Sequence, residues 1–374
     1  MAQQHDRLVS LDAFRGATIA GMILVNNPGT WGSIYPQLEH SEWNGCTFTD
    51  WIFPFFLWIV GVAITMSFAH RQERGDTKKA LLLQVVKRSL IIFGLGLFLA
   101  GFPYFNLSTI RIMGVLPRIA VCYFAASLVV LYTKSIRIQV CWLAGLLISY
   151  WLMMKFISVP GIGAGVFEKG KNFSAYVDSL LLSGHMWSQT KTWDPEGIVS
   201  TLPAIATTIF GVLTGRYLRS QHSKEEKTAW MFVAGNILLL IGATLDMWLP
   251  INKSIWTSSY SIFMAGWALV CFATFYWFID VKGYPRWAKP FIIFGMNAIS
   301  VYVLSESIGR LYGSVITLKQ PDGAEISLQE YLFRTFFLPL ASPVNASLIY
   351  ALCFLLFLFF LAWIMWKRKW FLKV

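Results

Sequence analysis

Chemistry in this chain concentrates around one histidine, in the run His40-Ser41-Glu42-Trp43-Asn44-Gly45 followed by Thr49-Asp50-Trp51-Ile52-Phe53-Pro54. An imidazole takes up and releases a proton near neutral pH, which few side chains do. Glu39, Glu42 and Asp50 are close enough in sequence to orient the ring or hold its charged form. Asn26, Asn44, Trp43 and Trp51 add donors and ring faces suited to a polar ligand. Two readings stand side by side: a general base or nucleophile, or an interfacial side chain satisfied by water or by Glu42. Cys46 is a rival nucleophile, but no basic residue adjoins it to lower its pKa. Of the other histidines, His5, His70 and His222 fall in the tail or in basic loops, which leaves His185 as the alternative to His40.

Other chemistries lack their residues. There is no HExxH, no CxxC and no pair of histidines at helical spacing, so no metal site is expected. A phosphate-cradling P-loop, a GxGxxG turn and a GxSxG elbow are also missing.

The elements that must position His40 are membrane helices. The 374 residues are 56% hydrophobic and only 13% charged, about half the charge of an average soluble domain. Ten apolar runs approach the roughly 20 residues a helix needs to cross a bilayer: 10–27, 49–69, 82–102, 112–132, 137–157, 198–218, 229–249, 259–279, 289–309 and 344–366. The expected fold is therefore an all-α polytopic membrane protein of about ten spans, a single domain over residues 1–374. The first apolar stretch carries Asp12 and Arg15 and no small-residue cleavage site, so no signal peptide is expected.

The net charge of +12 does not point to nucleic acid, because its distribution follows the membrane. Arg71, Arg74, Lys78, Lys79, Lys87 and Arg88 form one basic group; Lys134 and Arg137, then Arg216, Arg219, Lys224 and Lys227, form the next two. Lys282, Arg286 and Lys289 follow, and Lys367, Arg368, Lys369 and Lys373 close the chain. With ten spans all these groups lie on one side, which the positive-inside rule makes cytoplasmic, together with both termini. Cys122, Cys141, Cys271 and Cys353 fall inside apolar runs, where a thiol behaves as a small hydrophobe, so no disulfide framework is expected.

The opposite side carries the long connections, 28–48, 158–197 and 310–343. Trp187, Trp193, Asp194 and Glu196 in the second of these suit either a sugar-binding surface or an interfacial aromatic belt. Polar residues inside the spans are the other signal, since an ionisable group in hydrocarbon faces a cavity or a partner. At 100° per residue, Asp12, Gly16, Ile19, Ile23 and Asn26 share one face of the first span, with Arg15 at its edge. That stripe reads as a ligand path or as a self-paired Asp12–Arg15 couple. Arg118 in the fourth span needs a carboxylate, a carbonyl or a ligand phosphate. In the ninth, Asn297 and Ser300 lie roughly opposite Tyr302 and Glu306.

Taken in order, these residues resemble the heparan-α-glucosaminide N-acetyltransferase family, including its NagX-type bacterial relatives. The series begins with Arg7-Leu8-Val9-Ser10-Leu11-Asp12-Ala13-Phe14-Arg15-Gly16, like the family's RL.S.D.FRG, and continues through Val25-Asn26, the His40 run and Asp50-Trp51-Ile52-Phe53-Pro54. Arg88-Ser89 follows, then Arg111-Ile112-Met113-Gly114-Val115-Leu116-Pro117-Arg118, close to RI.GVL.R. Asp194-Pro195-Glu196-Gly197, Pro250-Ile251-Asn252-Lys253 with Trp256, and Gly295-Met296-Asn297 complete it. The family's N-terminal lumenal domain and its following helix are not expected here, and its glycine-rich run after Val-Asn reads Asn27-Pro28-Gly29-Thr30-Trp31-Gly32.

The resemblance implies transfer of acetyl from cytosolic acetyl-CoA, across the membrane, to the amine of a terminal glucosamine on an extracytoplasmic glycan. It makes His40 the catalytic residue and puts Asn26 at the acetyl end of the donor site, with Asp50 assisting. Asp12, Arg15, Arg88, Arg118 and Asn297 join Asn26 as expected acetyl-CoA contacts; Glu42, Trp43, Asn44, Asp194, Glu196, Asn252 and Lys253 are the expected acceptor contacts. By analogy with the bacterial relatives the location is the inner membrane with His40 facing the periplasm, and a homodimer is the candidate assembly. A transporter without covalent chemistry and an O-acyltransferase of envelope glycans are the competing readings, although no inverted repeat of broken helices is apparent for the former.

Overall fold

The computed structural model describes residues 8–320 and 323–371; Arg7, with which the first motif begins, and Lys373 lie outside them. The chain folds into α1 (Val9–Asn26), α2 (Phe48–Glu73), α3 (Lys78–Gly101), α4 (Val115–Tyr132), α5 (Ile136–Phe156), a short α6 (Phe173–Leu181) and α7 (Thr201–Leu218). It goes on through α8 (Lys224–Leu245), α9 (Ser258–Tyr276), α10 (Lys289–Met296), α11 (Ala298–Arg310), α12 (Leu328–Leu332) and α13 (Pro343–Lys367). Local chemistry sets several starts: the side chains of Thr77, Asn172, Ser223 and Thr257 accept a backbone N–H from the first turn of α3, α6, α8 and α9.

The architecture is that of an all-α polytopic membrane protein. By length and apolarity seven helices qualify as spans: α2, α3, α4, α5, α8, α9 with its continuation to Val281, and α13. An eighth is broken: α10 and α11 meet at 82°, with Asn297 between them. Thus seven or eight of the ten expected spans meet that standard. The other two, α1 and α7, are each 18 residues long and carry buried polar groups, among them Asp12 and Thr18 in α1 and Thr207 and Thr208 in α7. Both are surrounded by protein, so neither has to be as apolar as a lipid-facing helix. By contrast α3, α5, α8 and α13 leave Leu83, Leu90, Trp142, Ile148, Trp230, Leu240, Leu356 and Phe360 exposed, as a surface against acyl chains requires.

Small residues bring the inner helices together. A Cβ on Gly16 would lie 1.7 Å from the Phe291 carbonyl oxygen, and one on Gly295 would lie 2.0 Å from that of Asp12, so α1 and α10 are in backbone contact. Gly61 and Gly211 do the same for α2 and α7. Such contacts replace the hydrophobic driving force that is weak between helices in lipid. The expected stripe on α1 is thus a packed face: Gly16, Ile19 and Ile23 are buried in it.

The short basic turns meet one another: Arg216 donates to the Lys134 carbonyl at 2.6 Å, Arg219 reaches Glu73 at 3.5 Å, and Lys224 donates to the Asp280 carbonyl at 3.0 Å. Residues 158–197 contain α6, and residues 310–343 contain a two-stranded hairpin, β1 (Thr317–Lys319) against β2 (Glu325–Ser327), with Leu318 opposite Ile326. Hydrogen bonds hold the long connections together. Gly45 donates to the Ile251 carbonyl at 2.7 Å, the Trp43 indole donates to the Phe167 carbonyl at 2.9 Å, and Gln329 reaches the Pro28 carbonyl at 2.9 Å.

Candidate active site

His40 and Asp50 form the centre of the site. Asp50 is 1% exposed in the first turn of α2. The Thr47-Phe48-Thr49-Asp50 sequence builds a reciprocal cap there: Asp50 Oδ2 accepts the Thr47 N–H at 2.9 Å, and the Thr47 side chain in turn serves the helix start. The Ser41 N–H also reaches Oδ2, at 3.1 Å. The other oxygen, Oδ1, lies 2.6 Å from His40 Nδ1. A carboxylate at Nδ1 fixes the proton on that nitrogen and leaves the lone pair on Nε2. The Tyr260 hydroxyl donates to the Asp50 carbonyl and ties the same turn to α9.

His40 is half-exposed and lines a cavity of about 1580 Å³ at the end of the bundle that holds the long connections. This exceeds the roughly 300–1,000 Å³ of a pocket for one small molecule. From the sequence-derived set, Asn26, Glu42, Glu196 and Lys253 share the lining with His40; Tyr302, Glu306 and Arg310 of α11 join them. The wall on α3 is Gly96, Leu99 and Ala100. Asn26 donates from Nδ2 to Glu306 Oε1 at 3.4 Å.

The remaining expected acceptor contacts build the wall from behind. The Asn252 amide donates to the Asn44 side-chain oxygen at 3.2 Å, and Trp43 meets Trp193 edge-on with ring centroids 5.3 Å apart. Asp194 is 1% exposed and takes two hydrogen bonds from Arg111, at 2.8 and 2.6 Å. Arg111 also binds Glu196, and its face carries Trp187 5.8 Å from the guanidinium. Burial alone would pull the Arg111 guanidinium down, but Glu196 and Asp194 hold it above its ordinary value. Burial likewise pushes the Glu196 carboxyl up, yet Arg111, Lys253 and Arg118 keep it below the usual range. Behind them Asp178 accepts the Ile198 N–H at 2.9 Å and the Asp194 N–H at 3.3 Å; its burial raises its carboxyl to about 6.

The expected donor contacts lie outside the cavity lining, apart from Asn26. Arg118 is fully buried over the Trp256 ring and donates to the Gly197 carbonyl, at 3.0 Å, and to the Ser200 hydroxyl. Asp12 and Arg15 pair at 2.6 Å, and Arg15 Nε holds the Gly295 carbonyl at 2.7 Å. Asn297 is buried at the break between α10 and α11. Arg88 sits over the Tyr123 ring, and its Nε and the Ser89 hydroxyl, both buried, have no hydrogen-bond partner among the described residues. At 1.5 Å per residue, Arg88 and Ser89 lie roughly 10–12 Å below Gly96 along α3.

The rivals to His40 are placed otherwise. His185 Nδ1 is 2.8 Å from the Ile110 carbonyl, outside the lining. Burial raises the Cys46 thiol, which disfavours the thiolate.

A family model described as heparan-alpha-glucosaminide N-acetyltransferase, catalytic, matches residues 7–252, which run from the start of α1 through the His40 and Arg111 motifs to Asn252. The chain belongs to the heparan-alpha-glucosaminide N-acetyltransferase family. It is 31% identical to the human heparan-alpha-glucosaminide N-acetyltransferase over 351 residues, 79% of this chain and 52% of the relative. It is 28% identical to the mouse protein of the same name over 361 residues, 82% of this chain and 54% of the relative. The chain thus spans about half the length of the curated relatives it matches. Sequence reasoning passed over two supports of the site, Thr47 and Tyr260. Thr47-x-x-Asp50 was readable as a helix cap; the contact from Tyr260, 210 residues away, has no local signal.

Proposed function

We propose that this protein is a transmembrane acetyltransferase that moves acetyl from acetyl-CoA, supplied at the basic face, to the amine of a terminal glucosamine bound in the cavity. The observation that carries the reading is the His40 Nδ1–Asp50 Oδ1 contact of 2.6 Å at a cavity large enough for a sugar and the end of a donor arm. Family membership supplies the reaction class; that pair supplies a base of the required kind.

In this reading the acceptor nitrogen attacks the thioester carbonyl while His40 Nε2 takes its proton. Asp50 holds the ring in the productive tautomer and stabilises the imidazolium that forms. The C–N bond forms, the C–S bond breaks, and the proton passes to the departing thiolate. Asn26, whose amide keeps a second N–H beyond the one given to Glu306, stabilises the oxyanion. Transfer is direct, because donor and acceptor reach His40 from opposite sides and can be bound together.

For the donor, the unpartnered Arg88 Nε and Ser89 hydroxyl fit an anionic or amide-bearing arm, on the α3 face that continues up to Gly96 in the cavity wall. Arg15, Asp12, Asn297 and Arg118 frame that route from α1, the α10–α11 break and α4. Glu42, Glu196 and Lys253 contact the sugar, over a wall stiffened by Trp43, Asn44, Asp194 and Asn252. With the basic turns cytoplasmic, His40 faces the periplasm of a bacterial inner membrane.

The test is incubation of the purified protein with acetyl-labelled CoA and a methyl glucosaminide. Label recovered as the N-acetylated sugar supports the reading. Label carried only to hydroxyl acceptors, or uptake of sugar into vesicles without transfer, overturns it.

A further inference from the structure

Glu306 has no task in the mechanism above, yet it is one of the carboxylates in the cavity wall. It lies on α11 beside Tyr302, one turn before Arg310, and all three line the cavity with Asn26 and His40. Arg310 is the nearby cation expected to neutralise it at this helical spacing. That guanidinium acts on Glu306 through its charge alone, because its hydrogen bonds go elsewhere: Nη1 donates to the Leu99 carbonyl and, at 3.1 Å, to that of Phe102, at the end of α3. Free carbonyls and the negative end of the helix dipole favour a cation there.

The other arginines of the lining are also engaged, Arg111 with Asp194 and Glu196, and Arg334 with Glu330. Among the described residues Glu306 forms no ion pair, and its hydrogen-bond partner is the neutral Asn26 amide at 3.4 Å. A cavity-lining carboxylate whose hydrogen-bond donor is a neutral amide gains from a further cationic donor brought by a ligand.

We infer that Glu306 is the receiver of the acceptor's ammonium group, holding the amino-sugar nitrogen beside Asn26 and selecting an amine over a hydroxyl; the ammonium releases one proton to solvent before its nitrogen attacks, and His40 takes the second. This rests on the acetyl-transfer reading and adds to it the group that recognises the acceptor nitrogen. An ammonium–carboxylate hydrogen bond is charge-assisted and stronger than a neutral one. A sugar with a hydroxyl at the same position donates only a neutral hydrogen bond to the carboxylate, so the preference for the amine is the difference between a charge-assisted and a neutral bond.

The experiment is calorimetric binding of methyl glucosaminide and methyl glucoside at pH 6 to the full chain in nanodiscs, for the wild type, Glu306→Gln and Glu306→Asp. The wild type should bind the amino sugar at least tenfold more tightly than the glucoside. Glu306→Gln should abolish that preference while leaving glucoside affinity unchanged, and Glu306→Asp should restore part of it, which also covers poor folding of the Gln variant. A wild-type preference retained in Glu306→Gln, or lost equally in Glu306→Asp, overturns the inference and leaves acetyl transfer standing. A wild type with no preference for the amine likewise overturns the inference, while the fate of acetyl transfer is read from the labelled-product assay.

Discussion

Arg111 and Asp194, 83 residues apart, join end to end: Nε and Nη2 of the guanidinium donate to the two carboxylate oxygens at 2.8 and 2.6 Å. The pair links two motifs that the sequence shows only as separate, the Arg111–Arg118 run and Asp194-Pro195-Glu196-Gly197. Arg118 completes the link from the buried side through the Gly197 carbonyl. The wall opposite His40 is therefore one electrostatic unit.

Removing its cation should unfasten that wall. Arg111→Ala strands Asp194 and Glu196 without their partner, a change on the order of 3 kcal/mol. Arg111→Lys should recover less than half, because a point charge cannot bridge both oxygens. Thermal unfolding in detergent checks this; a melting curve for Arg111→Ala equal to wild type would show that the clasp does not stabilise the fold.

Asp178 gives stability a pH dependence of definite sign. Its folded-state carboxyl is raised from 3.8 to about 6, chiefly by burial. A group raised in the folded state contributes fully below its unfolded value and loses that contribution as pH climbs through the folded one. The contribution should therefore fall between about pH 4 and pH 6, by roughly 2–3 kcal/mol at 1.36 kcal/mol per unit. Unfolding of the wild type and Asp178→Asn across that window measures it. Parallel curves for the two proteins would contradict the assignment.

The donor route is open to a binding measurement. Arg88→Ala should weaken CoA affinity by about 10- to 150-fold, the equivalent of a charged hydrogen bond worth roughly 1.5–3 kcal/mol. Unchanged affinity in that variant would move the donor away from the Ser89 face of α3.

Much of this was readable in the chain because membrane helices announce themselves locally. The ordered motifs gave the family, and the apolar runs gave the helices. The span count was less secure for a physical reason: α1 and α7 pack against protein, so their threonines and the Asp12–Arg15 pair dilute the apolar signal. The stripe on α1 reads in sequence as a ligand path or as a self-paired Asp12–Arg15 couple; the fold pairs those two at 2.6 Å, and Gly16 admits the Phe291 carbonyl. At the site, Asp50 could be named from its ten-residue distance to His40. The contacts of Arg111 with Asp194, and of Asn44 with Asn252, depend on tertiary assembly and leave no mark on local sequence.

Direct transfer and an acetyl-histidine route separate in a single turnover. With acetyl-labelled CoA and no sugar, the protein should stay unlabelled, and initial rates should show both substrates bound before any product leaves. Stoichiometric acetyl on His40 that reacts onward with glucosamine would replace the base with a nucleophile.

The most direct measurement of the central claim is the rate of acetyl transfer to a methyl glucosaminide by wild type, His40→Ala and Asp50→Asn, with each variant's folding checked by its melting curve. The account predicts that His40→Ala loses about 10²–10⁴ in kcat, the range for a general base, and that Asp50→Asn also loses rate, because an amide no longer enforces the Nδ1–H tautomer. Near-wild-type turnover by a folded His40→Ala protein would contradict it.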